Sequence, residues 1–318
     1  MKLMPTTIKE MAMRLGVSPA TISLALNGSP VVSQKTRAKV LELANQSDYM
    51  PNNFGRGLQS NRSKLIGYVL EGVNLSFFNN IMQAVGLEAA QHNYGLLTTI
   101  ASTGDKDFML QNQMKILLEK KIDGLILSLP YVKFAPFREK FEKHHIPYLF
   151  CSTYCDEKFS SVITDNFAGG YMAAKFLLER QCRHLLSCNI DPLRHAGNRK
   201  AVQECPNADL LSFSTPEEAV AMTEQFPVDA ILAYSDQQAI DLIYMLKLKA
   251  VRVPEDISVI GFDNIALAGR PEFMLTTIGQ QQTELGQCSV QGILAMLNGE
   301  DHYHRLLAPK LIIRNTVK

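Results

Sequence analysis

The 318-residue chain lacks several patterns that would remove it from the ordinary globular class. Its six cysteines, at 151, 155, 182, 188, 205 and 288, form no CxxC pair and no dense cluster. That scatter excludes a disulfide framework and suits a reducing compartment, where such thiols act as small buried hydrophobes. No run of about 18 apolar residues and no N-terminal apolar h-region occurs, so no membrane partner and no secretion are expected. A cytoplasmic protein is the expectation. Common enzyme signatures are missing as well: there is no GxSxG elbow, no phosphate loop, no GxGxxG after a strand and no HExxH. His144-His145 and His302/His304 lack a Cys or carboxylate set at ligand spacing, so surface loops account for them and no cofactor is expected.

Nor does the chain have an excess of either charge, with a formal net charge of +1. The balance is uneven along the sequence. Residues 1–64 carry nine Lys/Arg against three Asp/Glu, and the remaining 254 carry 23 against 28. A basic N-terminus is often a solvated tail, but this one has apolar periodicity and helix caps, which points to a folded module facing a polyanion. With 46% apolar residues the chain is long enough for one large or two to three ordinary domains with cores of their own.

Thr7 followed by Glu10 forms a capping box ahead of Ile8, Met11, Ala12 and Leu15, which predicts a first helix over 8–15 ended by Gly16. Ser18 as N-cap and Pro19 at the first helical position predict a second over 19–26, closed by Asn27-Gly28. A third begins after Ser33. The segment "YMPNNFGRGLQSNRSK" then reads as a linker. From Leu65 onward short β-rich runs alternate with helical stretches, at 65–70, 96–100, 124–129, 147–152, 161–164, 184–189, 209–213, 230–235, 257–263 and 310–314. Continuous apolar strands separated by helices mean parallel sheets covered on both faces, and ten strands favour two α/β lobes over one sheet.

Two short helices joined by a tight Gly-containing turn make a helix-turn-helix, whose second helix enters the DNA major groove. With Ile22, Ala25 and Leu26 on one side of "PATISLAL", the opposite side holds Ala20, Ser23, Leu24 and Asn27 and carries no charge. A helix pressed into a groove needs small residues, hydroxyls and methyls there. A plain helical hairpin with a poorly solvated face accounts for this local pattern equally well.

The segment "TIKEMAMRLGVSPATISLALNG", followed by "VSQKTRAKVLELANQSDYMPN", closely resembles the headpiece of the lactose/galactose-repressor family of bacterial transcription regulators. The likeness covers nearly the whole chain: "RGLQSNRSKLIGYVL" is similar to the family's hinge and first core strand, "TDNFAGGYMAAKFLLER" to its mid-core segment, "VPEDISVIGFDN" with "LTTIGQ" to its late-core signature, and "LAPKLIIRNT" to its last strand. It implies a headpiece over 1–50, a hinge over 51–64 and an effector-binding, periplasmic-binding-protein-like core over 65–318. Lobe one is expected at about 65–163 and 279–300, and lobe two at about 164–278 and 301–318. The implied protein is a homodimeric repressor of palindromic operator DNA, controlled by a small effector of carbohydrate or related type. A solute receptor, or a regulator with a degenerate effector pocket, is the alternative. No heptad helix follows Arg314, so a tetramer built that way is not expected.

Carried over by position, the resemblance assigns Ser18, Pro19, Ala20, Ser23, Leu24 and Asn27 to base recognition. Leu24 stands where relatives often have Arg, which removes a bidentate guanine reader and leaves methyl contacts to thymine. Phosphate anchoring falls to helix N-terminal amides and to Thr7, Arg14, Lys35 and Arg37. In the hinge, Asn52 or Asn53 can cap, Arg56 supplies charge and Leu58 stands at the family position that wedges into the minor groove, an exposed residue of a flexible tether being its alternative. Gly55 and Gly57 each weaken that hinge helix by about 1 kcal/mol. For the cleft, the family positions are Phe77, Phe78, Asp165, Arg194, Ser235, Asp236 and Asp263. Each has an ordinary structural role as its alternative: core for the aromatics, a helix cap for Asp165, an ion pair for Arg194 with Asp263. Two departures stand out. The stretches after "HLLSCN" and around "RKAVQECPNADLL" are short, so the second-lobe wall is trimmed. Gln181-Cys182 replaces the family's Gly-His, a change expected to remove a left-handed helix cap.

Overall fold

The computed structural model describes residues 7–26, 28–47, 49, 62–71, 75–101, 107–153 and 156–318. Asn27 and the hinge residues Asn52, Asn53, Arg56 and Leu58 therefore lie outside the described residues, together with Gly55 and Gly57. The chain forms two compact units that divide between Ser63 and Lys64.

The first unit holds α1 (Ile8–Leu15), α2 (Pro19–Leu26) and α3 (Gln34–Gln46). Its start is fixed by the Thr7–Glu10 capping box: the Glu10 amide donates to Thr7 Oγ1 at 3.3 Å, and the Thr7 amide donates to Glu10 Oε2 at 2.8 Å. Gly16 then takes φ +65 and turns the chain. Met11, Ala12, Ile22, Ala25, Val32, Val40 and Ala44 form the core of this unit. Burying so few apolar side chains suffices because each helix contributes one narrow stripe.

The second unit begins with β1 (Leu65–Glu71), α4 (Leu75–Gln91), β2 (Gly95–Ala101), α5 (Asp107–Glu119) and β3 (Gly124–Ser128). Two short helices, α6 (Tyr131–Phe134) and α7 (Arg138–Lys143), lead to β4 (Tyr148–Cys151) and β5 (Ser161–Thr164). Then follow α8 (Asn166–Glu179), β6 (His184–Cys188), α9 (Pro192–Gln203), β7 (Asp209–Phe213), α10 (Pro216–Gln225), β8 (Ala230–Leu232), α11 (Asp236–Leu248) and β9 (Ser258–Asp263). Last come β10 (Thr277–Gly279), α12 (Gln282–Leu297), β11 (His304–Leu307) and β12 (Lys310–Ile312). The strands form two six-stranded sheets, ordered β11-β5-β4-β3-β1-β2 and β12-β10-β9-β8-β6-β7. All neighbours are parallel except β10 with β12. Strands such as β3 and β9 are buried along their whole length, as parallel strands covered by helices must be.

Each sheet is the spine of one lobe, and the chain passes between lobes near Asp165, Gln280–Gln281 and Ala308–Pro309. The Asp165 amide donates to Leu307 O at 2.9 Å, joining the first crossing to the third. Gln281 Nε2 donates to Ala308 O at 3.3 Å, joining the second to the third. The expected assignment of 301–318 to lobe two is thereby corrected. His304–Leu307 pairs with Ser161–Thr164 in sheet one, and only from Lys310 does the chain join sheet two. The expected strand list also lacked β10 and β11.

The expected loss of a left-handed cap after α8 is corrected too. Gln181 takes φ +63, and the Cys182 amide donates back to Leu177 O at 3.2 Å, as in a glycine-terminated helix. Lys121, Asn207 and Ala250 sit in the same left-handed region. Each such side chain adds steric cost that glycine avoids. Gln181→Gly is expected to stabilise the core by about 0.5–1 kcal/mol, because the strain removed outweighs the added chain entropy; a urea midpoint that falls instead would show that the Gln181 side chain contributes contacts of its own.

Candidate nucleic-acid interface and ligand cleft

In the first unit, Ser18 Oγ accepts from the Thr21 amide at 3.1 Å and starts α2. Ile22 and Ala25 are buried, which turns Ser18, Pro19, Ala20 and Leu24 outward. Leu24 is 39% exposed, and Ser23 is half-buried beside it. α2 carries no acidic residue in its first turn and no basic one in its last. The outward surface is therefore made of methyls, methylenes and hydroxyls, the groups that meet thymine methyls and base edges in a major groove. Arg14 and Lys35 are exposed. Thr7 spends its side chain on the α1 cap. Arg37 is committed within the headpiece: its Nη2 donates to Gly28 O at 3.1 Å and Ser29 O at 2.6 Å. It clamps the turn that ends α2, a positioning role the sequence pattern did not disclose.

In the second unit, the carboxyl ends of the strands gather the cleft side chains, as parallel α/β sheets do. Lobe two supplies the better-defined half. Asp191 caps α9, accepting from the Leu193 and Arg194 amides at 3.0 and 2.9 Å. Arg194 follows, with its side chain 12% exposed. Its guanidinium lies 3.6 Å from the Phe262 ring centroid and 5.1 Å from that of Tyr234. Nε donates to Asn166 Oδ1 at 2.9 Å and Nη1 to Tyr234 O at 2.5 Å. α8 and α9 come close enough for this only because Gly170 and Gly197 lack Cβ atoms, which would fall 2.1 Å from Arg194 O and Phe167 O respectively. The space beside Arg194 is about 10 Å³, room for about one water. A groove of about 700 Å³ opens at the crossings instead, lined by Asn80, Asn264, Gln280, Gln281, Gln282 and Lys310 among others.

The remaining expected cleft residues divide by role. Phe77 is buried in the main core, edge-on to the half-buried Phe78 at 5.2 Å. Asp165 and Ser235 are helix caps, accepting from the Ala168 and Gln238 amides at 2.8 and 3.2 Å. Asp263 is buried and accepts from Gln280 Nε2 at 2.7 Å. Asp236 is wholly buried, with the Ile265 amide at 2.8 Å and Thr277 Oγ1 at 2.5 Å. Tyr234, Asn166, Gln280 and Gln282 belong to this neighbourhood and were not anticipated. Among the described residues no group of three His, Cys, Asp or Glu is placed to hold a metal, and no helix is long and apolar enough to cross a membrane.

Burial pushes the Asp236 carboxyl up to about 8, and the nearby Asp263 charge adds to the effect; the Thr277 and Ile265 bonds oppose it. A carboxyl raised in the folded state holds a proton that the unfolded chain has released above about pH 4. Stability linked to Asp236 is therefore full below about pH 4 and is lost progressively as pH rises from there toward 8. Thr277 Oγ1 donates to Asp236 Oδ1, so this bond favours the carboxylate and limits the rise. Urea midpoints are expected to fall between pH 6 and pH 9, and Asp236→Asn, which mimics the neutral acid, should flatten that slope; an unchanged slope would place the titration elsewhere.

Comparison with known proteins gives this geometry its relatives. Residues 7–52 match the model of bacterial regulatory proteins of the lacI family, and residues 174–317 match a periplasmic binding protein-like domain. The chain is 28% identical to the HTH-type transcriptional repressor PurR of Vibrio atlanticus (strain LGP32), over 98% of each chain. It is also 28% identical to the ribose operon repressor of Halalkalibacterium halodurans, over 98% of this chain and 97% of that one. The lac repressor dimer bound to operator and the anti-inducer ONPF shares the fold, with a TM-score of 0.84, 24% identity and coverage of 98% and 99%. A solute receptor would account for the core but leave the headpiece unexplained. The chain therefore carries a domain of the lacI family of bacterial regulatory proteins at residues 7–52, ahead of a periplasmic binding protein-like domain at residues 174–317.

Proposed function

We propose that the chain is a cytoplasmic, homodimeric repressor that reads a palindromic operator with α2 and is released or engaged by a small effector held between its core lobes. One observation carries the reading: an uncharged, outward-facing recognition helix precedes a two-lobed core whose three crossings meet beside the cleft. The headpiece would span 1–50, the hinge 51–64 and the core 65–318. Ser18, Pro19, Ala20, Ser23 and Leu24 would face the bases, with Asn27 at the end of the helix. Lys35, Arg14 and the helix N-terminal amides would hold phosphates. Leu58, with Asn53 and Arg56, would act in the hinge. The names of the two sequence relatives, one of them a ribose operon repressor, support an effector of carbohydrate or related type. Arg194, Tyr234 and Phe78 would meet it, a cation with two aromatic faces suiting a polyhydroxylated ring. Such a ligand would have to draw Arg194 away from Tyr234 O or Asn166, which links its binding to the arrangement of lobe two.

Selection of binding sites from random duplex DNA tests the reading. The full chain is expected to yield a palindrome of about 14–20 base pairs with strong salt dependence. Leu24→Arg should convert one selected thymine position in each half-site to guanine, a discrimination of about 1–3 kcal/mol. Enrichment of no consensus by the wild-type chain would overturn the operator reading, and an unmoved consensus in Leu24→Arg would remove Leu24 from base contact.

A further inference from the structure

Two adjacent residues that are not glycine end β9 in left-handed backbone conformations, Asp263 at φ +120 and Asn264 at φ +56. Such conformations persist only where surrounding groups over-determine them. Here the restraint comes from the crossing between the lobes and from the last strand. Gln280 Nε2 donates to Asp263 Oδ1 at 2.7 Å, and Gln282 Nε2 donates to Asp263 O at 2.7 Å. Arg314 places Nη2 on Asn264 Oδ1 at 2.7 Å and Nη1 on Leu275 O at 2.6 Å.

Gln282 has a second use. Its Oε1 accepts from Asn80 Nδ2 at 2.5 Å, on α4 of lobe one. The amide orientations are forced, because Asp263 O can only accept; Gln282 must present Nε2 to it, which leaves Oε1 for the Asn80 donor. Gln282 is 6% exposed, so a buried side chain with both polar ends bonded joins a strained corner of one lobe to a helix of the other. The α4 helix in turn packs closely on α12, where a Cβ on Gly286 would fall 2.6 Å from Ile81 O. Gln282 itself opens α12, so the Asn80 bond lies near the start of this closely packed helix pair.

We propose that Gln282 is the positioning residue by which the Asp263–Asn264 corner of lobe two is coupled to lobe one, so that a change at the corner is passed to α4 through the Asn80 bond. The proposal rests on the reading of the core as an effector-controlled body, and it assigns that control to a particular link. A ligand that relaxes the corner withdraws the Asp263 carbonyl from Gln282, and Gln282 then no longer fixes Asn80.

Hydrogen exchange on the full chain tests this without any ligand. Asn80→Ala is a substitution in lobe one, yet it is expected to speed exchange about fivefold or more at residues 263–266 of lobe two, which include the Ile265 amide bonded to Asp236. Gln282→Met, which keeps length and burial but loses both bonds, should speed exchange there and in the first turns of α4. The double variant should go no further than Gln282→Met alone. Acceleration confined to α4 in Asn80→Ala, or additive effects in the double variant, would overturn the proposal. On the selected operator both single variants should shift affinity in the same direction by about fivefold or more. Failure of the wild-type chain to select an operator would sink the regulator reading, while the exchange data would still decide the link.

Discussion

The bond from the Asp165 amide to Leu307 O, together with that from Gln281 to Ala308 O, holds three chain crossings at one place. Much else depends on this. Each lobe is a separate parallel sheet with its own helical covers, and each needs strands from both early and late parts of the chain. Sheet one closes only when β11 returns beside β5, and sheet two only when β12 pairs antiparallel with β10. A hinge made of three bonded crossings permits rotation of one lobe against the other yet resists separation, which is the mechanical requirement for a cleft that responds to its contents.

Much of this architecture was legible in the sequence, and its legibility followed local chemistry. The headpiece helices begin and end where Thr7, Glu10, Ser18 and Pro19 dictate, because a cap acts within a few residues. Apolar runs such as "GLILS" announced buried strands. β10 and β11 escaped because they are short and their identity lies in distant partners: "HRLL" has an exposed pattern and becomes a strand only through Ser161–Thr164. The same division governs the cleft. Asp165 and Ser235 satisfy nearby helix amides, a role readable from position. Gln280, Gln282 and Asn80 could not be found that way, since one of their bonds spans some 200 positions and amides carry no signal of their own.

The headpiece divides its labour between charged and neutral groups. Guanidinium and ammonium groups in contact with DNA give affinity that salt erodes, whereas methyls and hydroxyls give selectivity that salt hardly touches. α2 keeps only the second kind on its outward face. Arg37 gives Nη2 to Gly28 O and Ser29 O, so its charge fixes the turn at the end of α2. Contacts made through short methyl groups lose their value within an ångström of misfit, so a face of this kind demands precise placement.

The corner at Asp263 and Asn264 shows how such a core can be firm and yet switchable. Hydrogen bonds from Gln280, which gives its backbone amide as well as its side chain, and from Gln282 and Arg314 hold it, each worth on the order of 1 kcal/mol net, somewhat more where a charge is involved. Against them stands left-handed backbone strain of about 1–3 kcal/mol per residue. The two sides are of similar size. A rigid ion-paired core would leave a small ligand too little leverage, and an unrestrained loop would transmit nothing. Bonds and strain of similar size are the condition under which a differential ligand affinity of about 1–3 kcal/mol can choose between two arrangements of such a corner.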